Sequence, residues 1–232
     1  ETTWGFVQES NLANSSLKIN TGKGAVNLKG DIGKGQALDT LNIENAGTVK
    51  IGDASNKVTD YNNGTVYVDH GLKISSTGNV TVGGEIHSGE SEKTDTSTSL
   101  DDQYKDSVTI QSVGNLEVHG ITSNTYTPEG TTNVRGGKIS LTSTGTEGVI
   151  TLGDGVDYNG KNTNGGVLKA SSTTQGAVII DAQGSKGGFV NKTTAENAIV
   201  TGETTDANGK KVTGTWQVYS ASPDKGYFWN QS

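Results

Sequence analysis

The chain of 232 residues carries 34 Gly, 32 Thr, 21 Ser and 20 Asn, so four small residue types fill 107 positions, far from average usage. Hydrophobic residues reach 30%, charged residues 19%, and the net charge is −7; that is too little apolar material for one thick core and too little charge for a solvated coil. No run approaches about 18 apolar residues, Cys is absent and Arg135 is the single arginine, which excludes a transmembrane helix, a disulfide or thiolate site and a strongly basic nucleic-acid surface.

Met is also absent and the sequence opens at Glu1, so the expected state is a processed form or a piece of a longer chain. No signal peptide is legible. If one has been removed, the lack of Cys suits a protein exported unfolded across a membrane.

Six stretches read as short strand, Gly-containing turn, short strand: LKINTGKGAVNLKG from Leu17, LNIENAGTVKIGD from Leu41, LKISSTGNVTVGG from Leu72, VTIQSVGNLEVHG from Val108, ISLTSTGTEGVITLGD from Ile139 and LKASSTTQGAVIIDAQG from Leu168. Pairs such as Leu17/Ile19, Leu41/Ile43, Leu72/Ile74 and Val108/Ile110 alternate with polar residues, as a half-buried strand requires. Partner strands are expected from Val26, Val49, Val80, Leu116, Ile150 and Val178. A longer match supports duplication: Gly52-Asp53, Asp60-Tyr61-Asn62 and Leu72 to Thr77 recur as Gly153-Asp154, Asp157-Tyr158-Asn159 and Leu168 to Thr173.

Strands this short do not suit an immunoglobulin-like sandwich. Stacked parallel strands sharing a narrow core do, and no helical period survives the Gly and β-branched runs. The expected fold is all-β, a single right-handed parallel β-helix of roughly eight to ten coils if a coil takes about 20 residues. Residues 1–16 form a lead-in or N-terminal cap, 17–213 the coils and 214–232 an aromatic cap or junction. Inserts interrupt the coils near 53–71, 87–107, 122–137 and 153–166, with Val66-Tyr67-Val68 as a third strand inside the first.

The candidate sites each have a plainer reading. His70, His87 and His119 follow strand ends, and Glu85-Ile86-His87 matches Glu117-Val118-His119. If Val82 lies over Val118, His119 lies over Gly83 and not over His87, so solvated loop histidines are expected in place of a metal pair. Asp154, Asp157 and Asn159, and Asp53 with Asn56 and Asp60 to Asn63, offer oxygen ligands for calcium, but they match no calcium-loop pattern, and plain turns are the expected reading. The expectation is therefore no cofactor and no metal, with calcium at Asp154, Asp157 and Asn159 kept as the weaker alternative. Paired carboxylates for glycoside cleavage, a G-x-S-x-G elbow and an H-E-x-x-H pair are not legible, so no enzyme is expected. The tripeptides at Asn14, Asn63, Asn79 and Asn191 that match a glycosylation acceptor carry no weight in a chain so rich in Asn, Ser and Thr.

From Gly187 the text changes to GGFVNKTTAENAIVTGE and TGTWQVYSASPDKGYF. Phe189-Val190-Asn191, then Trp216, Val218-Tyr219-Ser220 and Pro223, resemble the end of β-helical segments in filamentous-haemagglutinin-like exoproteins, large bacterial surface adhesins. The resemblance covers about 40 residues. Thr215 departs from the Arg often found before that Trp, and the family's N-terminal secretion module is not recognisable. The resemblance implies an extracellular Gram-negative bacterial β-helix: a non-enzymatic stalk or adhesive segment whose partners are a host-surface protein, a glycan or other copies of itself, with no nucleic acid and no membrane insertion. A subunit of an end-to-end filament is the alternative expectation and a polysaccharide lyase or hydrolase the third. Trp216, Val218, Tyr219, Tyr227, Phe228 and Trp229 are expected to cap the last coil or form an interface, since large side chains bury the most area per residue.

Overall fold

The computed structural model describes residues 2–4, 15–52, 64–89, 107–127, 132, 134–153, 166–193, 195–220 and 229–230. All regular structure among them is β. The first nine strands are β1 (Thr2–Trp4), β2 (Leu17–Asn20), β3 (Val26–Leu28), β4 (Leu38–Ala46), β5 (Val49–Ile51), β6 (Val66–Ser76), β7 (Val80–Ser88), β8 (Ser107–Ser112) and β9 (Leu116–Ser123). Next come β10 (Thr125–Tyr126), β11 (Arg135–Gly136), β12 (Lys138–Ser143), β13 (Val149–Leu152), β14 (Leu168–Ala170), β15 (Val178–Ala182) and β16 (Gly188–Asn191). The last are β17 (Ile199–Thr201), β18 (Glu203–Thr205), β19 (Lys211–Thr213), β20 (Trp216–Ser220) and β21 (Trp229–Asn230). Seventeen strands make one sheet, parallel at every described pairing except β20 with β21; β10–β11 and β18–β19 are separate antiparallel hairpins.

The register resolves this sheet into three stacked ladders. In the first, Leu17, Leu41, Leu72, Val108, Ile139, Val178 and Trp216 lie one over another. In the second, Val26, Val49, Val80, Leu116, Ile150 and Phe189 do so, with Thr2 of β1 beneath Val26. In the third, Ile32, Val66, Ile86, Ile121, Leu168 and Ile199 are aligned. The chain visits the ladders in that order on every turn, which is the connectivity of a β-solenoid.

Alternation places one set of side chains inside. Leu41, Ile43, Ile74, Ile110, Leu141 and Ile180 of the first ladder, Ile51, Val80, Leu116 and Ile150 of the second, and Val66, Ile86 and Leu168 of the third have no solvent exposure or almost none. Rungs about 4.8 Å apart turn each column into a continuous apolar contact, and each buried Leu or Ile contributes about 1.5–3 kcal/mol. A narrow three-sided core is thus built from few apolar residues, which accounts for the low hydrophobic fraction.

Two sequence expectations shift. The first ladder has seven rungs among the described residues, where a 20-residue period leads to eight to ten coils; inserts between the ladders make each turn longer than that. The sixth repeat is also out of phase: Leu168 stacks on Ile121 in the third ladder, and Val178 takes the first-ladder position above Ile139. The Leu-Lys-x-Ser-Ser-Thr text is shared by strands of different ladders, and sequence similarity alone does not separate them. Val66-Tyr67-Val68 does form the expected extra strand, as the start of β6.

Candidate functional site

The three corners of the coil differ. Between the first and second ladders the turn is short on every coil. Ser76 Oγ donates to the Gly47 carbonyl at 3.0 Å, and Ser112 and Ser143 Oγ both donate to the Gly114 carbonyl at 2.8 Å. Asn79 Oδ1 accepts from the Asn115 amide at 2.9 Å, and Asn115 Oδ1 from the Val149 amide at 3.0 Å, so each coil's turn is tied to the next. A methyl group on Gly47, Gly78, Gly114, Gly145 or Gly184 would run into the coil before it.

The corners on either side of the third ladder carry the inserts. The chain leaves the second ladder at Gly52 and returns to the third at Gly64; three coils later it leaves at Gly153 and returns at Gly166. The bases are pinned: the Gly52 amide donates to the Leu28 carbonyl at 2.7 Å and the Gly153 amide to the Val118 carbonyl at 2.8 Å. Asp31, with a nearly buried side chain, accepts from the Thr65 amide at 3.0 Å and from Lys34 Nζ at 3.1 Å. At the opposite corner of the same ladder the chain leaves at Gly89 and rejoins at Ser107, and one coil later it leaves as the β10–β11 hairpin. Strands β7 and β9 run to Ser88 and Ser123, so the inserts expected from 87 and from 122 start slightly later, and His87 is a strand residue.

The outer face of the third ladder is therefore flanked by inserts on both sides. Its outward column reads Tyr67, His87, Thr122, Lys169 and Val200. Tyr67 and His87 stack with ring centroids 5.0 Å apart and planes 8° from parallel. His87 Nε2 lies 3.1 Å from Glu85 Oε2, and this hydrogen bond holds the Glu85 carboxyl below its ordinary range, opposed by burial and helped by the charges of His87 and His119. Val82 pairs with Val118 and His87 with Thr122, so the imidazoles of His87 and His119 occupy different columns, as the sequence alignment requires.

Around the corner lies a second cluster that the sequence reading missed. Asp39 alone stands opposite both Asp69 and His70, because Leu38 pairs with Val68 and Thr40 with Gly71. This β-bulge turns His70 onto Asp39: Nδ1 bonds Asp39 Oδ1, while Ser16 Oγ donates to Asp39 Oδ2 at 3.1 Å. The His70 and Asp39 side chains are only 11% and 16% exposed, which corrects the expectation of a solvated loop histidine. His70 is the first cause of a lowered Asp39 pKa, against the opposing effect of burial. The Tyr126 ring lies 4.9 Å from the imidazole, tilted by 57°. Period-two text carries no sign of a bulge, so nothing in the sequence signals this pair.

At the last coil, Trp216 and Val218 stand over Val178 and Ile180; Val218 is buried, Trp216 packs on the core while partly exposed, and Tyr219 points outward at 37% exposure. Strand β21 pairs antiparallel with the far edge of β20. Tyr227, Phe228 and the calcium candidates Asp154, Asp157 and Asn159 lie outside the described residues, as do Asp53, Asn56 and Asp60 to Asn63; of Trp229 only the backbone is described. Among the described residues, no three His, Asp or Glu side chains gather as a metal site, and no helix is long and apolar enough to cross a membrane.

No family model, curated protein or solved structure matches the chain.

Proposed function

We propose that the chain is a right-handed, non-enzymatic β-helical stalk or adhesive segment of an extracellular bacterial surface protein, working by display. The observation that carries this reading is the placement of the inserts: they leave the coil at the two corners flanking one ladder, so one side of a stiff rod presents variable loops while the other sides remain regular. Side chains and inserts must do the recognising there, since the strand backbones of the coil wall are hydrogen-bonded from rung to rung and offer no free edge. The haemagglutinin-like text around Trp216 supports an extracellular bacterial setting, with a host-surface protein or glycan as partner.

Two further observations bear on the rivals. Strand β21 runs antiparallel along the last rung of the first ladder, so a second copy adding in parallel would have to displace it, which favours a capped rod over an end-to-end filament. A polysaccharide-cleaving enzyme would need two carboxylates facing one cleft. Here Glu85 and Asp39 are each engaged by a histidine and lie on different sides of a corner. We read the chain as cofactor-free, and a rise in melting temperature on adding calcium would bring Asp154, Asp157 and Asn159 back as ligands.

Deletion of 91–104 and of 155–164, singly and together, tests display. The 91–104 deletion should leave thermal melting nearly unchanged, and the double deletion should abolish attachment to cells or matrix. Attachment that survives the double deletion would place the binding surface elsewhere, and negative-stain images of long filaments would replace the stalk with the filament reading.

A further inference from the structure

The inserts at Gly89 and after Tyr126 leave the same corner on successive coils, and their bases touch. The Asn124 amide donates to the Ser88 carbonyl at 2.8 Å, and a Cβ on either Gly89 or Gly136 would meet the Asn124 carbonyl at 2.6 Å. Strand β10 is held to the coil above by the Thr125 amide, which donates to Ser171 Oγ at 2.6 Å, and by Gly137, whose carbonyl accepts from the Ser172 amide at 3.0 Å. On the other side it reaches past the Gly89 coil and sets Tyr126 against His70, two rungs away. The hairpin is thus tied to the coil above through Ser171 and Ser172 and meets a titratable ring on the coil below through Tyr126.

The surroundings of that ring define what its protonation does. Asp39 faces it from β4, with Ser16 on the second carboxylate oxygen and Thr40 Oγ1 donating to Ser16 Oγ at 2.8 Å. Tyr126 faces it from β10, with Arg135 paired to Tyr126 across the hairpin. Asp69 precedes it on β6. Among the described residues, Ser88 at the end of β7, Gly89 after it and Ser107 at the start of β8 lie at this corner, none of them titratable. A neutral imidazole gives Asp39 one hydrogen bond and offers the tyrosine ring no charge. An imidazolium gives Asp39 a charge-assisted bond and places a cation beside an aromatic ring, an attraction that grows when water is excluded.

We infer that Asp39, His70 and Tyr126 form a proton-operated clasp that seats the β10–β11 hairpin more firmly at mildly acidic pH than at slightly alkaline pH. The Asp39 carboxylate favours the charged ring, and the clasp tightens as pH falls and the imidazole takes up its proton. It fails only when Asp39 itself protonates, and the lowered Asp39 pKa puts that point below the ordinary carboxylate range. The clasp concerns the hairpin's seating and holds whether or not the display reading is right; if that reading holds as well, one pair of neighbouring inserts is presented differently at acidic and alkaline surfaces.

Amide hydrogen exchange of residues 125–126 and 135–136, corrected for the intrinsic pH dependence, tests it on the full chain. Protection should be about threefold to fivefold greater at pH 5.5 than at pH 7.8, with a midpoint matching the His70 ring titration followed by NMR. His70→Gln should flatten the profile, and so should Tyr126→Leu, which keeps an apolar contact but removes the π face. Protection that does not change with pH, that changes in the opposite sense, or that keeps its pH dependence in folded His70→Gln protein would overturn the clasp. Should His70→Gln fail to fold, the wild-type profile and Tyr126→Leu decide the matter alone.

Discussion

The corner between the first and second ladders and the two corners beside the third are turns of the same coil built from similar Gly, Ser and Asn text, yet they behave as opposites. At the first, each turn rests on the one before: glycines stand where a Cβ would strike the neighbouring coil, and serine and asparagine side chains satisfy the backbone groups of adjacent turns. At the others the bases also rest on the neighbouring coil, as Gly166 does on His119 and Gly202 on Ser171, and are pinned by Gly52 on Leu28, Gly153 on Val118 and Thr65 on Asp31, but the length of chain between the bases differs from coil to coil. Backbone groups buried at a turn need partners; at the first corner, where the partner is the next coil, the connections stay within two to five residues, and beside the third ladder they reach a dozen or more. A solenoid thus holds its register along one corner and varies along the others.

The comparison breaks most readily at the tight corner. Gly78→Val should be the most damaging single change, because the new side chain would meet the Gly47 carbonyl and Thr48 Cγ2 and separate two coils; a loss of about 3 kcal/mol or more is expected in chemical denaturation. A melting curve within a degree or two of wild type would show that the corner yields. Trp216→Ala comes next. It removes the last column residue above Val178, and partial exposure puts the expected loss near the low end of the scale for large-to-small changes, about 2–3 kcal/mol. Light scattering should also show some self-association through the loosened end, whereas an unchanged melt with a monomeric variant would make the tail a surface feature.

The smallest effect belongs to the insert-bearing side and depends on pH. His70 lowers the Asp39 pKa and His87 lowers that of Glu85. A carboxylate whose folded pKa is depressed contributes stability that is present above the unfolded value, near 3.9 for Asp and 4.3 for Glu, and lost as pH falls through the lower folded value. Stability should therefore fall as pH drops from about 5 towards 2. Asp39→Asn should lower stability slightly at pH 6 and flatten the acid limb of the curve. An acid limb identical to wild type would mean that the His70 contact does not reach the folding equilibrium.

How far the sequence was readable follows the same division. Alternation at Leu17/Ile19, Leu41/Ile43, Leu72/Ile74 and Val108/Ile110 located strands that proved to be stacked rungs, because a period of two survives any ladder assignment. The phase at Leu168 was not readable, since Leu-Lys-x-Ser-Ser suits the first and third ladders equally and only the count of corners passed tells them apart. The separation of His87 from His119 followed from register alone. The Asp39–His70 pair did not, because it depends on one extra residue at a bulge, and Tyr126 reaches it from two rungs away. Long-range side-chain meetings at corners depend on insert positions, which periodicity does not encode.

One pair of melting curves tests the division between corners most directly. The same six-residue Gly/Ser segment is inserted between Gly78 and Asn79, at the tight corner, and between Thr94 and Asp95, within the insert that follows Gly89 at the third-to-first corner. The account predicts a steep loss of melting temperature, or failure to fold, for the first variant and a change of only a few degrees for the second, since lengthening an insert between fixed bases costs little closure entropy. Equal losses at the two sites, or a greater loss at Thr94/Asp95, would contradict the claim that this solenoid keeps register on one corner and displays its loops from the others.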